Sequence, residues 1–363
     1  MRYRIWLPAL LLAVWMATAA VAQPLTVTDM IGRTVRVPAE PERIICIGPG
    51  TLRLIVYLDA QDRVAGVESM EKRFAAGRPY WLAQPQLRTL PVIGPGGPGA
   101  INKRPDMEAV LRIAPDLIFA TYLGASLADD VAATLGIPVV VLDYGELSRF
   151  DQAVYDSLRL AGRILNQQPR ADAVVAYIEG LRGELKRRTI GIPDGEKPGV
   201  YVGGIGYRGA HGITSTQRHY IPLDWNHAVN LADRVDASIG SHVFVDKEAL
   251  LGLDPGVVFI DGGGMALVAE DYRKKPAFYR ALSAFRSRRV YALLPFNFYT
   301  TNIGTAVVDA FAIGKTLYPQ RFEDVDLSER ADAIYTFLVG RPVYDQMATE
   351  YGHVGQPVVF LEQ

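Results

Sequence analysis

The sequence predicts an α/β protein with two Rossmann-like lobes, in which mainly parallel sheets are joined by a long rigid α-helix and a ligand cleft lies between the lobes. Short apolar runs rich in Val and Ile recur along the chain and alternate with helical patterns, as in parallel sheets that helices cover on both faces. A continuous helical pattern occupies the middle of the chain, and a segment of the first half recurs in the second.

The first residues predict a signal peptide at 1–22. Arg2 and Arg4 precede an apolar run, and small residues before the end of this segment suit cleavage after Ala22. The alternative, a membrane anchor, needs roughly 20 apolar residues, and this run is shorter. Gln23 rather than a cysteine follows the cleavage site. We therefore expect a protein that is free in the periplasm and carries no lipid anchor.

Seven apolar runs predict strands that divide between two lobes. The chain without its leader is too long for one ordinary core, and we expect a first lobe at 23–166 and a second lobe at 191–363. Runs of this length and composition are typical of strands buried on both faces. The runs are 43–48, 63–67, 116–122, 138–143, 199–204, 257–262 and 289–294.

The helical pattern between the lobes predicts a rigid spine at 167–190. An apolar stripe from Val174 to Leu185 repeats at helical spacing. Pro169 stands at the beginning, where proline is tolerated. The basic residues 186–188 stand at the end, where the helix dipole favours cations.

The charge balance and the cysteine count argue against several classes of function. Removing Arg2 and Arg4 from the 38 basic residues leaves 36 against 39 acidic ones, which disfavours nucleic acid or an anionic membrane surface as a partner. The alternative of a nitrogenase-like enzyme needs cluster ligands, and Cys46 is the only cysteine. No G-x-S-x-G or H-E-x-x-H motif is present. We expect no catalysis and no cofactor.

An internal repeat links the two halves at a constant offset of 140 residues. One alternative is chance, because a helix, a proline turn and a strand form a common unit. The constant spacing through five identities favours structural duplication. The matched residues are Glu108, Ala109, Leu111, Pro115 and Phe119 in the first half and Glu248, Ala249, Leu251, Pro255 and Phe259 in the second.

Several segments together resemble the periplasmic binding proteins of iron-chelate and cobalamin ABC importers, the class with one rigid interlobe helix. The segments are 27–35 (VTDMIGRTV), 58–67 (LDAQDRVAGV) and 106–118 (DMEAVLRIAPDLI). The resemblance implies a monomeric solute-binding protein that delivers a metal complex to a permease dimer in the inner membrane. An iron chelate is the leading ligand, with cobalamin, haem and an oxyanion such as molybdate as alternatives.

The resemblance also gives the repeated glutamates a function. In this family one exposed glutamate of each lobe docks on arginines of the permease, and Glu108 and Glu248 occupy the matching positions. Such contacts act more on docking orientation and rate than on affinity. The alternative is that each glutamate only stabilises the first turn of its helix.

Candidate ligand contacts in the first lobe follow two predicted strands. Arg53 ends a glycine-containing turn after 43–48, where free backbone N–H groups favour an anion. Arg73, Tyr80 and Trp81 lie in a polar stretch and suit stacking and pairing with a flat or anionic chelate. A plain strand-to-helix turn and surface packing are the alternatives.

Candidate ligand contacts in the second lobe are more numerous. Glycines at 203–212 permit close backbone approach to a ligand, and a later cluster of aromatics and amides follows the strand at 289–294. His211 is a weak candidate for a metal ligand, because the histidine spacing matches no tight helical motif. Loop-building and core packing are the alternatives. The candidates are Tyr207, Arg208, His211, Arg218, Tyr220, Tyr299 and Asn302.

Overall fold

The computed structural model describes residues 23–73, 76–145, 152–236 and 240–361. The predicted signal peptide at 1–22 lies outside these residues. Within them, no helix combines the length and the apolar character that a membrane crossing requires. Two four-stranded parallel sheets and a long central helix form the frame, so the predicted two-lobed α/β fold is confirmed.

The first lobe is built on a hairpin and a parallel sheet in the order β4-β3-β5-β6. Its strands and helices are β1 (Leu25–Thr28), β2 (Thr34–Val37), β3 (Ile44–Ile47), α1 (Thr51–Tyr57), β4 (Val64–Gly66), α2 (Ser69–Arg73), α3 (Pro79–Ala83), α4 (Met107–Ile113), β5 (Leu117–Thr121), α5 (Ala125–Leu135), β6 (Val139–Leu142) and α6 (Gln152–Ile164). Strands β3, β5 and β6 are buried throughout, which explains why they appear in the sequence as unbroken apolar runs.

The spine is α7 (Gln168–Thr189), within a residue of the range predicted at each end. Its apolar stripe is buried, and it packs against α6 and against a long helix of the second half. Basic residues occupy its last turn, where they offset the negative end of the helix dipole.

The second lobe repeats the parallel sheet in the order β12-β11-β7-β9. A short antiparallel pair, β8 with β10, stands beside it and was not predicted. The elements are β7 (Gly199–Gly203), β8 (Ser215–Gln217), α8 (Ile221–Asp224), β9 (Val229–Asn230), β10 (His242–Phe244), α9 (Lys247–Leu253), β11 (Val257–Asp261), α10 (Met265–Lys274), α11 (Pro276–Ala281), α12 (Ser283–Arg286), β12 (Val290–Leu293), α13 (Ile303–Leu317), α14 (Leu327–Val339) and α15 (Tyr344–Tyr351).

The internal repeat has the same structure in both lobes. Helices α4 and α9, and strands β5 and β11, keep the offset of 140 residues at both ends. The Asp106 side chain caps α4 by accepting the Ala109 N–H at 3.0 Å, and Asp246 caps α9 by accepting the Ala249 N–H at 2.7 Å. Both helices end at a residue in the left-handed conformation. The two halves are therefore similar in structure as well as in sequence over this segment.

One apolar core runs through both lobes and the spine. It joins one side of each sheet to α7, α13 and α14, while two smaller clusters fill the other sides. Helix α14 lies after the second sheet in the chain but packs on α1 and α3 of the first lobe. The second sheet begins at Gly199, and α14 also contacts the first lobe, so the predicted boundary at 191 stays a prediction.

Candidate functional site

The loop that follows β12 lies between the lobes and is held there by Arg53. This arginine is fully buried in the first lobe. Its guanidinium donates to the carbonyl oxygens of Thr301 at 2.8 Å, Tyr299 at 3.0 Å and Phe298 at 3.2 Å. It also donates to the Tyr144 hydroxyl at 3.3 Å. We call this contact of Arg53, Tyr122 and Tyr144 with residues 298–301 the floor of the predicted cleft. The predicted contact of Arg53 with a ligand stays a prediction.

Hydroxyl groups from both lobes meet on this floor. Tyr122 follows β5, and its hydroxyl lies 2.9 Å from the Thr300 hydroxyl. Tyr144 follows β6 and donates to the Gly50 carbonyl oxygen at 2.8 Å. A Cβ on Gly50 would lie 2.4 Å from the Thr300 methyl group. The carboxyl ends of the first sheet therefore pack closely against 298–301, in a setting lined by hydroxyl groups.

Glu68 extends the contact between the lobes beneath the floor. Its buried carboxylate accepts hydrogen bonds from the Tyr299 hydroxyl and from the Gly48 N–H, the latter at 3.1 Å. The Gly97 N–H donates to the same tyrosine oxygen at 3.0 Å. Burial raises the pKa of Glu68 to about 7, because the carboxylate loses hydration that these hydrogen bonds only partly replace. Tyr299 is thus a buried link between the lobes.

A second buried carboxylate, Glu71, pairs with Arg78. The Tyr80 hydroxyl donates to Glu71 at 2.8 Å, and Arg53 lies over the Tyr80 ring with 5.0 Å between the guanidinium carbon and the ring centroid. Trp81 is also buried, beside Arg78. Tyr80 and Trp81 therefore support the floor from below. Their predicted contact with a ligand stays a prediction.

Sequence reasoning did not select Glu68, Glu71 or Arg78. The available signal was the position of the two glutamates shortly after the predicted strand at 63–67, because the carboxyl edge of a parallel sheet is where ligand-binding polar groups lie. The predicted contact Arg73 is the last residue of α2, the helix that also contains Glu71, and it is exposed.

The rim of the second lobe carries a cluster of aromatic and imidazole rings, which we call the rim cluster: Tyr207, His211, His242 and Phe244. Tyr207 stacks on His242 with 4.4 Å between centroids, and His211 meets Phe244 edge to face at 5.0 Å. Arg208 lies over the Tyr207 ring at 5.6 Å. Burial, with the nearby His211, lowers the pKa of His242 to about 4, so its ring is neutral at pH 7.

The rim cluster lies at the carboxyl end of the second sheet. A Cβ on Gly264, in the turn after β11, would lie 2.4 Å from the His211 carbonyl oxygen. The loop that bears Tyr207, Arg208 and His211 is thereby packed against this turn. The structure brings these three predicted residues together, and it adds His242 and Phe244 from β10.

The remaining second-lobe candidates are more deeply placed. Asn302 donates to the Phe296 and Phe298 carbonyl oxygens at 3.1 and 2.9 Å, so it shapes the loop after β12. Tyr220 is fully buried, with its ring tilted against Phe296. Arg218 is partly buried beside β10, and its N–H donates to the Ser241 carbonyl oxygen.

Further acidic side chains lie in the second lobe, one of them buried and two exposed beside a histidine. Asp261 ends β11 and is fully buried, which raises its pKa to about 7. Elsewhere, His219, Asp224 and Asp233 offer exposed ligand atoms that lie within 4.8 Å of one another. The weak metal candidate His211 is not part of this exposed group, and its Nε2 lies 2.8 Å from the Tyr207 carbonyl oxygen.

The glutamates predicted to dock on a permease stand on the outer faces of α4 and α9. Both are exposed. The Glu108 carboxylate lies 4.0 Å from Arg112, whereas Glu248 makes no ion pair or side-chain hydrogen bond within the described residues. Asp106 and Asp246 cap these helices, and the two glutamates stand in the first turn, where the helix dipole favours negative charge. Their docking role stays a prediction.

Comparison with known proteins identifies a family and several proteins to which this chain is similar. A family model described as periplasmic binding protein matches residues 44–293. The molybdate-binding protein MolA of Haemophilus influenzae is 25% identical over 332 residues, which cover 85% of this chain and 89% of that protein. Among solved structures, a periplasmic solute binding protein from Veillonella parvula has a TM-score of 0.72 at 18% identity, covering 91% of this chain and 97% of that one. MolA bound to molybdate has a TM-score of 0.68 at 20% identity, covering 88% and 98%.

Proposed function

The chain belongs to the periplasmic binding protein family of ABC transporters, and we propose that it captures a compact oxyanion, with molybdate as the first candidate. The observation that carries this proposal is the close-packed floor of hydroxyl groups between the lobes. Tyr122, Tyr144 and Thr300 stand there beside a glycine turn. The Tyr144 proton is already donated to the Gly50 carbonyl oxygen, whereas the Tyr122–Thr300 hydroxyl pair uses one of its two protons and keeps the other for an anion.

The charges beneath the floor support an anion. Two guanidinium groups, Arg53 and Arg78, are buried here together with the carboxyl groups of Glu68 and Glu71, and Arg78 forms an ion pair with Glu71. Burial raises the pKa of Glu68 to about 7, so this carboxyl group is partly protonated at neutral pH. Positive charge is therefore in excess under the hydroxyl groups. The similarity to a molybdate-binding protein over most of the chain agrees with this proposal.

The outer faces of the two lobes carry the residues that would dock on the permease and so deliver the ligand. Export by the predicted signal peptide at 1–22 would bring the chain to the periplasm. Glu108 and Glu248 would then meet cationic side chains of the two permease subunits, one lobe on each. Two exposed carboxylates on a single rigid body suit a two-fold symmetric receptor, and their attraction would weaken with added salt.

A second candidate ligand is a flat anionic metal chelate, which the rim cluster favours. The stacked Tyr207–His242 pair and Arg208 offer a ring surface beside a cation, and conjugated anions bind to such surfaces. This site lies at the rim, whereas the oxyanion would lie on the floor. Variants can therefore separate the two candidates.

Isothermal titration calorimetry of the purified chain tests the ligand. We expect one equivalent of molybdate or tungstate to bind, and Tyr122→Phe and Thr300→Val each to weaken binding roughly tenfold by removing a hydrogen bond to a charged group. Tyr272→Phe, in the second lobe, is the matched control and should bind like the wild type. Binding of ferric siderophore, haemin or cyanocobalamin without any oxyanion binding would refute the proposal. Loss of that binding in Tyr207→Ala would support the second candidate.

A further inference from the structure

The repeated helices α4 and α9 share more than their glutamates. Leu111 and Leu251 occupy equivalent positions, three residues after Glu108 and Glu248. Both leucines are exposed, by 54% and 37%. Residues three apart are neighbours on a helix surface, so each lobe presents a carboxylate next to an apolar side chain on one outward face. We call each such pair a docking pair.

Among the described residues, neither leucine belongs to one of the buried apolar clusters. The inward face of α4 is formed by Ala109, Val110 and Ile113, and that of α9 centres on Leu250. Single exposed apolar residues are common and need no explanation. Here, however, the same exposed residue recurs in both lobes at the same distance from the same exposed carboxylate. Repetition of this kind favours a partner that is itself two-fold symmetric.

We infer that Leu111 and Leu251 are apolar anchors of the permease interface and that each permease subunit presents an apolar pocket beside its cation. This inference rests on the proposed docking of Glu108 and Glu248. The two exposed carboxylates indicate which partner groups they would meet, because two equivalent acidic side chains are complementary to two equivalent basic sites. Burial of a leucine side chain in a pocket provides affinity, whereas an exposed ion pair mainly steers the encounter.

The residue one helical turn after the glutamate differs between the two lobes. In α4 it is Arg112, which lies 4.0 Å from Glu108, and in α9 it is Gly252. Arg112 can compete weakly with a permease cation for the Glu108 carboxylate, because both side chains are exposed. The leucine is therefore expected to contribute a larger share of the contact at the first lobe than at the second.

Binding to the permease of the ABC importer that this chain serves, held in lipid nanodiscs, tests the inference. We expect Leu111→Gln and Leu251→Gln each to weaken docking roughly tenfold while the dependence of docking on salt stays as in the wild type. The double variant Glu108→Gln, Glu248→Gln should instead flatten the salt dependence. Ligand affinity measured by calorimetry, and thermal unfolding, should be unchanged in all of them. Leu267→Gln is the matched control, because Leu267 is exposed by 39% in the same lobe as Leu251.

The outcomes separate the inference from the proposed docking. If the glutamate variants weaken docking and the leucine variants do not, the inference is wrong and the proposed docking stands. If neither set has an effect, both are wrong. An equal loss with Leu267→Gln would also overturn the inference, because apolar surface anywhere would then suffice. A change of oligomeric state in the leucine variants, seen by sedimentation, would overturn it too, since the leucines would then belong to a contact between copies of this chain.

Discussion

At the scale of single residues, the first lobe concentrates ionisable groups where water is excluded. Arg53, Arg78, Glu68 and Glu71 are all buried near one another. A buried charge is tolerated only when partners replace its hydration. Arg53 has backbone carbonyl oxygens as partners, Arg78 has Glu71, and Glu68 has a tyrosine hydroxyl and an N–H group. This arrangement fixes the floor of the cleft and makes it sensitive to pH.

The raised pKa of Glu68 predicts that the free energy of unfolding falls as pH rises. This pKa is raised from 4.5 to about 7 in the folded chain. Between these values the folded state holds a proton that the unfolded state has lost, so the stabilisation is complete below about pH 4.5 and is lost as pH rises through about 7. We expect Glu68→Gln to make the fall in the free energy of unfolding between about pH 5 and pH 8 smaller, as measured by urea denaturation. Some fall should persist, because burial raises the pKa of Asp261 in the same direction.

Glu323→Gln is the control for this experiment, because Glu323 is exposed. It should leave the pH profile of the free energy of unfolding as in the wild type. An unchanged profile in Glu68→Gln would contradict the assignment.

At the scale of elements, the turn from β3 into α1 brings the lobes together. Gly50 stands there with φ of +80°, a conformation that glycine adopts without the steric cost of a Cβ. The Thr300 methyl group and the Tyr144 ring lie against its Cα. The turn is thus shaped both by its own backbone and by a segment from the other lobe.

A pair of glycine variants separates these two effects. Gly32 has φ of +83°, and a Cβ added there would have no neighbour within 4 Å, so Gly32→Ala should cost only about 1 kcal/mol of stability for the left-handed backbone. Gly50→Ala should cost roughly a further 1–3 kcal/mol from overpacking, and it should also weaken ligand binding. Denaturant unfolding and calorimetry measure both effects. Equal costs in the two variants would show that the contact with Thr300 is not constraining.

At the scale of the whole molecule, the lobes behave as parts of one body. The apolar core continues from the first lobe through α7 and α13 to the second, and α14 returns to pack on α1 and α3. The loop after β12 adds buried polar contacts between the lobes through Arg53 and Glu68. A hinge would have to break these contacts together, which opposes a large opening.

Solution scattering tests this rigidity. We expect the radius of gyration to change little when molybdate, or whichever panel ligand binds in calorimetry, is added, because the spine and the shared core permit only small rotations. The same profiles recorded for Gly50→Ala provide a comparison with a loosened floor. A large compaction of the wild type on binding would contradict a rigid spine.

The sequence by itself determined the two sheets, the spine and the repeat. All seven predicted strands are present, and α7 lies within a residue of its predicted range at each end. These features depend on local spacing: unbroken apolar runs for strands buried on both faces, and a stripe at helical period for the spine. The family resemblance is confirmed by the family model, which matches residues 44–293 and so includes two of the three segments that carried it.

Only the tertiary structure decided how the floor of the cleft is made. Arg53 pairs with carbonyl oxygens almost 250 positions away in the chain, and Tyr80 and Trp81, expected in a surface stretch, are buried. The rim cluster depends on the pairing of β8 with β10, which brings His242 and Phe244 to Tyr207 and His211. Strands of only three residues are too short to be recognised from a sequence pattern. Such contacts join distant segments, and no local period records them, because their partners are selected by the packing of the whole chain.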